Sequence, residues 1–308
     1  MRKATMRDTI LRSIIVASQR TPFRGKGGGY TNLSKERLHS ATAVDKARAE
    51  ADDVERFFRF FPAHDLRSLM AGKSVLDFGS GYGGRTVRYG KFASRVCGIE
   101  PVEAHIDAGK EFANQEGATN VEFKLCGDYD IPYDDNTFDM VVTFDVLEHV
   151  ADPRKSLAEI YRVLKPDGTV FAVFPLYRGM FAHHLDYITL APAIHILFDP
   201  RRVMRVVNGL LDTKYADVEV TRHPAAGTSY DGKKPVMPTL NGMGLNDFKR
   251  NAEAFEIVDL DQVSVFRHYL GGRSILSRFT GPLMRLSPTI SEVLTFHVCT
   301  VMKPRKER

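Results

Sequence analysis

The sequence has no tryptophan and only three cysteines in 308 residues. Cys97, Cys126 and Cys299 show neither ligand-like spacing nor the framework of a disulfide-stapled secreted domain. They read as small apolar residues of predicted strands, reduced in a cytoplasmic setting. Long apolar runs are missing too. Spanning a bilayer takes roughly 20 consecutive apolar residues, and no stretch approaches that. The early segment ILRSIIVASQR is short and broken by Arg12, which argues against a signal peptide or an anchor. No single charge dominates: 43 basic against 38 acidic side chains leave a formal net charge of +5. The basic residues are scattered apart from the short KPRKER, and no aromatic-plus-basic stripe accompanies them, so nucleic acid is not an expected partner. Internal repeats and low-complexity arrays are absent. Core-forming material is ample. With 43% hydrophobic residues the chain can build one large domain with insertions or two small ones.

Residues 1–40 are basic and then glycine-rich (RGKGGGYTNLS), the composition of a mobile arm. From 41 to 70 the pattern is helical, with Val54, Phe57, Phe58 and Phe61 at three- and four-residue spacing and Pro62 as a break. From 71 onward short strands and helices alternate. KSVLDFG, RVCGIE, VEFKLCG, FDMVVTFDV and TVFAVFP read as strands. GRTVRYGKFA, PVEAHIDAGKEFANQEG and DPRKSLAEIYRVLKPDG read as helices, the last closing in a Pro-Asp-Gly turn. This rhythm predicts an α/β fold, a doubly wound and mostly parallel sheet. It fails at about 176–240, where apolar helical patches and a Gly/Pro-rich stretch interrupt it, and again at about 267–290. LNDFKRNAEAFEIVDLDQVSVF supplies a further helix and strand, and TFHVCTVMK a final strand. An insertion after the fifth strand is the natural cover for a crevice at the strand carboxyl ends.

The stretch VLDFGSGYGG, residues 75–84, fits two ligands. Its glycines at 79, 81 and 84 match the G-x-G-x-x-G of a dinucleotide site. The same letters match D-x-G-x-G-x-G, the first motif of enzymes that use S-adenosylmethionine. Glycine spacing and a later ribose-binding acid, Glu100, suit both. Asp77 separates them, because an acid offers nothing to a pyrophosphate and suits the ammonium and sulfonium of a methionyl group.

Three more segments, GIEP (98–101), CGDYDIPYDDNTFDMVVTFDVLEHV (126–150) and LAEIYRVLKPDGTVFAVFP (157–175), follow in order. Together with the glycine motif they resemble the class I S-adenosylmethionine-dependent methyltransferases of the small-molecule type, over residues 75–175 and more weakly over 244–303. The resemblance implies a seven-stranded Rossmann-like sheet in a methyltransferase domain at 71–308, with a lid inserted at about 176–240 and a helical extension at 41–70. It implies S-adenosyl-L-methionine as co-substrate. Asp77, Gly79, Ser80 and Gly81 would surround its methionyl part, and Glu100 its ribose hydroxyls. Asp128 would take the adenine amino group, with Pro101 or Tyr129 beside the ring. Phe144 and Asp145 would border the sulfonium.

Methyl transfer to a hydroxyl needs a base near neutral pKa. LYRGMFAHHLDYITLAPAIHILFD places His183 and His184 after the fifth strand, with Asp186 to orient one of them. His195, amid APAIHILF, reads as a packing residue. Asp145, Glu148 and His149 offer metal-like donors, but their Leu-Glu-His-Val setting reads as a structural turn and no resident divalent metal is expected. Arg201, Arg202 and Arg205 would serve a membrane surface, a contact not expected to be the main one. The expected activity is O-methylation of a small-molecule hydroxyl, such as a glycan or natural product, in the cytoplasm. An N-methyltransferase, a nucleic-acid methyltransferase, a nicotinamide-dependent oxidoreductase and a non-catalytic cofactor-binding protein remain alternatives, and the oligomeric state is not legible.

Overall fold

The computed structural model describes residues 5–18, 41–185, 188–214, 225–270 and 275–305. In chain order the helices before the first strand are α1 (Met6–Ser18), α2 (Ala43–Asp52), α3 (Val54–Arg59) and α4 (Leu66–Met70). Then come β1 (Ser74–Phe78), α5 (Gly84–Tyr89), β2 (Arg95–Glu100), α6 (Glu103–Gln115), β3 (Val121–Leu125), β4 (Phe138–Phe144), α7 (Pro153–Val163) and β5 (Leu164–Phe174). The second half carries α8 (Ile194–Leu197), α9 (Pro200–Leu211), β6 (Gly227–Thr228), β7 (Pro235–Val236), α10 (Leu245–Asn251), β8 (Phe255–Ser264), α11 (Val265–Leu270), α12 (Ile275–Leu286), α13 (Pro288–Leu294) and β9 (Thr295–Pro304).

Seven strands form one sheet in the order β3-β2-β1-β4-β5-β9-β8. β1 pairs in parallel with both β2 and β4, β2 with β3 and β4 with β5 are parallel as well, and β9 runs antiparallel to β5. The near-continuous apolar runs of β1 and β4 follow from burial on both faces. The chain order reverses at β1 and β4, so the loops after their carboxyl ends open the crevice where ligands of such sheets bind. The doubly wound, mostly parallel sheet expected from the alternating pattern is the sheet observed.

Three local expectations are corrected. The Pro-Asp-Gly after α7 does not end a helix in a free turn; it lies within β5, where the β4–β5 register shifts between Phe138 and Met140. The supposedly irregular 267–290 contains α12 and most of α11, with Pro282 inside α12. Cys126 falls just past β3, while Cys97 and Cys299 sit in strands; all three are buried and none is in a disulfide.

The chain divides into two compact units. One comprises Gly27–Phe174, Phe248–Asp261 and Val298–Arg308 and holds most of the sheet. Inside it α2 packs Ala47 and Ala51 against Val87 of α5 and Ile106 and Phe112 of α6. Phe57 of α3 meets Phe61 and Phe144 edge-on at 5.4 Å each.

The other unit gathers Met1–Lys26, Pro175–Asp247 and Gln262–His297. Its core joins Leu11 and Ile15 of α1 to Val203, Met204, Val207, Leu210 and Leu211 of α9. Asp199 caps α9 by accepting from the Arg201 amide, with Pro200 in its first turn. Part of the segment expected to be a mobile arm is therefore a docked helix. Fully burying Leu11 and Ile15 is worth about 1.5–3 kcal/mol each. Asp8 of α1 pairs with Arg202 at 3.2 Å, so this arginine is engaged within the protein. Residues 19–40 of the arm lie outside the described residues. Among the described residues no helix is long and apolar enough to cross a membrane.

Candidate active site around the glycine loop

After β1 the chain turns into α5 through three glycines in the left-handed region, Gly79 (φ 79°), Gly81 (φ 56°) and Gly83 (φ 83°). A side chain at 79 would have no room: a Cβ there would stand 2.3 Å from Cγ2 of Val146. The loop is fastened first to β2, whose Ile99 carbonyl accepts from the Gly79 and Ser80 amides at 3.0 and 2.9 Å. The next donors meet carboxylates. The Gly81 amide donates to Glu100 Oε2 at 3.2 Å. Glu50, carried by α2, accepts from the amides of Tyr82 (3.3 Å) and Gly84 (3.2 Å). Asp77 accepts from the Thr86 hydroxyl at 2.6 Å, tying β1 to α5.

Asp77, Glu50 and Glu100 are all buried. Burial pushes Asp77 up to about 6, with the Thr86 hydroxyl and Arg85 opposing and Glu100 reinforcing the rise. Burial raises Glu50 as well, against Arg85 and the two loop amides. Arg85 stays charged: burial works against it, and Glu50, Asp77 and Asp145 outweigh that. This arrangement decides between the two ligands the loop's letters allow. A pyrophosphate binds a glycine loop through open backbone amides. Here the Gly81, Tyr82 and Gly84 amides are held by the chain's own carboxylates, and a diphosphate would have to displace them beside buried acids. A cationic ligand meets no such conflict.

Residues 76–172 match the family described as a methyltransferase domain. These residues carry a methyltransferase domain, on a sheet with the strand order of the class I fold. An uncharacterized methyltransferase of Schizosaccharomyces pombe is 34% identical over 143 residues, covering 44% of this chain and 51% of that protein, so the chain spans about half of its length. The ubiquinone/menaquinone biosynthesis C-methyltransferase of Escherichia coli is 27% identical over 213 residues, covering 65% of this chain and 83% of that one. A geranyl diphosphate methyltransferase solved in complex with S-adenosylmethionine shares the fold, with a TM-score of 0.51 and 16% identity over 94% of this chain and 95% of that one.

The methyltransferase domain has groups that fit S-adenosylmethionine. Glu100 ends β2 with one partner on each oxygen, the Gly81 amide and His105 Nδ1 at 3.0 Å. A carboxylate accepts about four hydrogen bonds, which leaves room for a ribose diol. Leu125 pairs in register with Glu100, and from it Leu125, Cys126, Gly127, Asp128, Tyr129 and Asp130 line an open depression beside that acid. Tyr129 is exposed there, with the Lys155 ammonium 5.0 Å from its ring centre. Asp128 Oδ2 accepts from the Ala151 amide at 2.6 Å, so one of its oxygens anchors the turn before α7. Pro101 is exposed at the end of β2.

Other predicted residues are placed differently. Ser80 is buried, its hydroxyl without a hydrogen-bond partner, so the loop presents its backbone rather than that side chain. Phe144 turns its ring into the aromatic packing of α3, with the Arg85 guanidinium 4.8 Å from its centre. Asp145 follows in the left-handed region (φ 55°), its amide bound to the Val173 carbonyl. Glu148 is buried, and burial together with Asp145 holds its carboxyl well above the ordinary range. His149 Nε2 lies 3.7 Å from Glu148 Oε1.

The histidines belong to the other unit. His183 Nδ1 accepts from the Leu185 amide at 3.0 Å, which occupies its basic nitrogen. Burial, with His195 and His184 nearby, drives it down to about 3. His183 is thus a neutral packing residue and a poor base near pH 7. His195, as expected, packs inside, with Nε2 bonded to the Tyr177 carbonyl at 2.8 Å. His184 is half-buried and left-handed (φ 53°). Asp186 lies outside the described residues.

Sequence reasoning missed Glu50 and Arg85. Glu50 did leave a signal. It is a charged residue on the apolar stripe of α2, between buried Ala47 and Ala51. Arg85 left none, because an arginine at the second position of a helix reads as surface.

Proposed function

We propose that the protein transfers the methyl group of S-adenosylmethionine to a small-molecule acceptor. The observation that carries this reading is the set of buried carboxylates on the glycine loop's donors, which disfavours a diphosphate and suits a cationic methionyl group. When bound, the donor supplies a methyl on an activated sulfonium, so the protein's task is alignment, worth several kcal/mol when well done. Glu100 would hold the ribose, the depression at 125–130 the adenine, and the loop backbone the methionyl end. Asp145 would border the sulfonium.

For the acceptor we retain a hydroxyl of a glycan or natural product, with His184 rather than His183 as the base. The half-buried setting of His184 and the occupied nitrogen of His183 support that choice. Carbon methylation is a second reading, favoured by the likeness to the Escherichia coli C-methyltransferase. The two separate on His184→Ala, which abolishes turnover of a hydroxyl and leaves an already activated carbon acceptor within a few-fold. A nucleic-acid acceptor is disfavoured by the scattered basic residues. The primary test is calorimetric titration with S-adenosylmethionine, S-adenosylhomocysteine and NAD. Micromolar binding of both adenosyl compounds is expected. Binding of NAD alone overturns the reading.

A further inference from the structure

Glu50 is supplied by a helix that belongs to neither the sheet nor the segment matched to the methyltransferase family, residues 76–172. We infer that Glu50 is the positioning residue of the donor loop, holding the Tyr82 and Gly84 amides so that the loop keeps the shape its ligand needs. The inference rests on the methyl-donor reading above. Its basis is geometric. α2 starts at a reciprocal capping box between Thr42 and Asp45, which fixes its register. Its backbone then lies directly on the start of α5: a Cβ at Gly84 would stand 1.8 Å from the Ala47 carbonyl oxygen. One turn on, the Glu50 carboxylate enters the loop, with each oxygen taking one amide. A Cβ at Gly81 would come within 2.8 Å of Glu50 Oε1, so the open side of that glycine is filled by this acid. On the loop side Arg85 and Asp77 are the charged groups that face it, and Lys46 of α2 completes the bracket by donating to the Tyr82 hydroxyl at 3.2 Å.

A carboxylate so placed fills the loop's anion-binding nest with the protein's own anion. The amides are then satisfied before any donor arrives. Without it, the Tyr82 and Gly84 donors lose their acceptors and the loop is free to relax.

The test is calorimetric titration of the full chain and its Glu50→Ala and Glu50→Gln variants with S-adenosylhomocysteine, with thermal unfolding alongside. Losing hydrogen bonds to a charged acceptor corresponds to a weakening on the order of 10- to 100-fold in Glu50→Ala. Glu50→Gln, which can accept only one of the amides with its oxygen, falls between. Millimolar formate added to Glu50→Ala refills the vacated acceptor position and recovers much of the affinity, while leaving the wild type unchanged. A loss that formate does not move would assign Glu50 to helix packing alone and overturn the inference. So would Glu50→Ala binding within two-fold of wild type. If Glu50→Ala does not fold, the isosteric Glu50→Gln decides: unchanged affinity overturns the inference, and weakened affinity at an unchanged melting temperature supports it. Failure of the donor reading itself is distinct, since the wild type would then bind neither adenosyl compound.

Discussion

Replacing Gly79 by alanine strains the loop in two separable ways. The position has φ 79°, a conformation that costs an L-residue about 1–2 kcal/mol. The new methyl would also stand 2.3 and 2.7 Å from the two γ-carbons of Val146, an overlap of the overpacking kind that costs about 1–3 kcal/mol. The sum, on the order of 2–5 kcal/mol, is a large part of a typical domain's stability. Urea unfolding of wild type, Gly79→Ala, Val146→Ala and the double variant separates the parts. Val146→Ala removes both offending carbons, so the double variant should recover the steric share and retain the backbone share. The coupling energy between the two sites is then about 1–3 kcal/mol. Donor affinity should stay impaired in the double variant, since the loop backbone remains displaced. Gly79→Ala unfolding within ~0.5 kcal/mol of wild type, the range of an inert surface change, would refute this account.

Other perturbations test the site's electrostatics. The folded Asp77 keeps its proton up to about 6, against an ordinary 3.8. Between those values the folded state binds more protons than the unfolded one, so stability falls as pH rises from about 4 to 6, by on the order of 2–3 kcal/mol at ~1.4 kcal/mol per pH unit. Asp77→Asn, compared with wild type by urea unfolding across that range, should lose this slope and gain relative stability above pH 6. His183 has the opposite sign. Lowered to about 3, its neutral form stabilises the fold above about 6.5, and that contribution is lost as pH falls toward 3. His183→Gln should flatten the acid limb and leave turnover within a few-fold at pH 7.5; a collapse of turnover would restore His183 as the base. Glu100→Ala should weaken S-adenosylmethionine and S-adenosylhomocysteine alike, by on the order of 10- to 100-fold in calorimetry, because both carry the ribose.

The parallel core was legible because strands buried on both faces write themselves as apolar runs, as in VLDF and FDMVVTF. Asp77 and the glycines were legible as a motif, though not the direction of the acid: nothing in the sequence says that its carboxylate meets Thr86. Phe144 shows the same limit. Its place at the end of β4 was readable, but the face it turns to depends on α3, whose docking no local pattern reports. α1 was missed because Met6, Ile10 and Ile14 stay exposed while Leu11 and Ile15 are buried, so its apolar residues spread around the helix. Helix α12 was hidden by Gly281 and Pro282, residues that punctuate local structure everywhere else. The histidine pair was found by composition, and only the environment separates a buried, engaged His183 from its neighbour.

The placement of β9 between β5 and β8 has a consequence for how the protein is made. β9 follows every other described strand in the chain, yet β5 finds its antiparallel partner only there, Phe171 with Val301 and Val173 with Cys299. While the chain emerges from the ribosome, β1 to β5 can assemble, but the apolar rim of β5 stays open and β8 has no neighbour. A nascent chain that has not reached β9, or one clipped before it, therefore carries an adhesive edge until β9 closes it. Premature release at this stage would yield aggregates rather than a smaller working domain, and chaperone dependence should concentrate in that interval of synthesis.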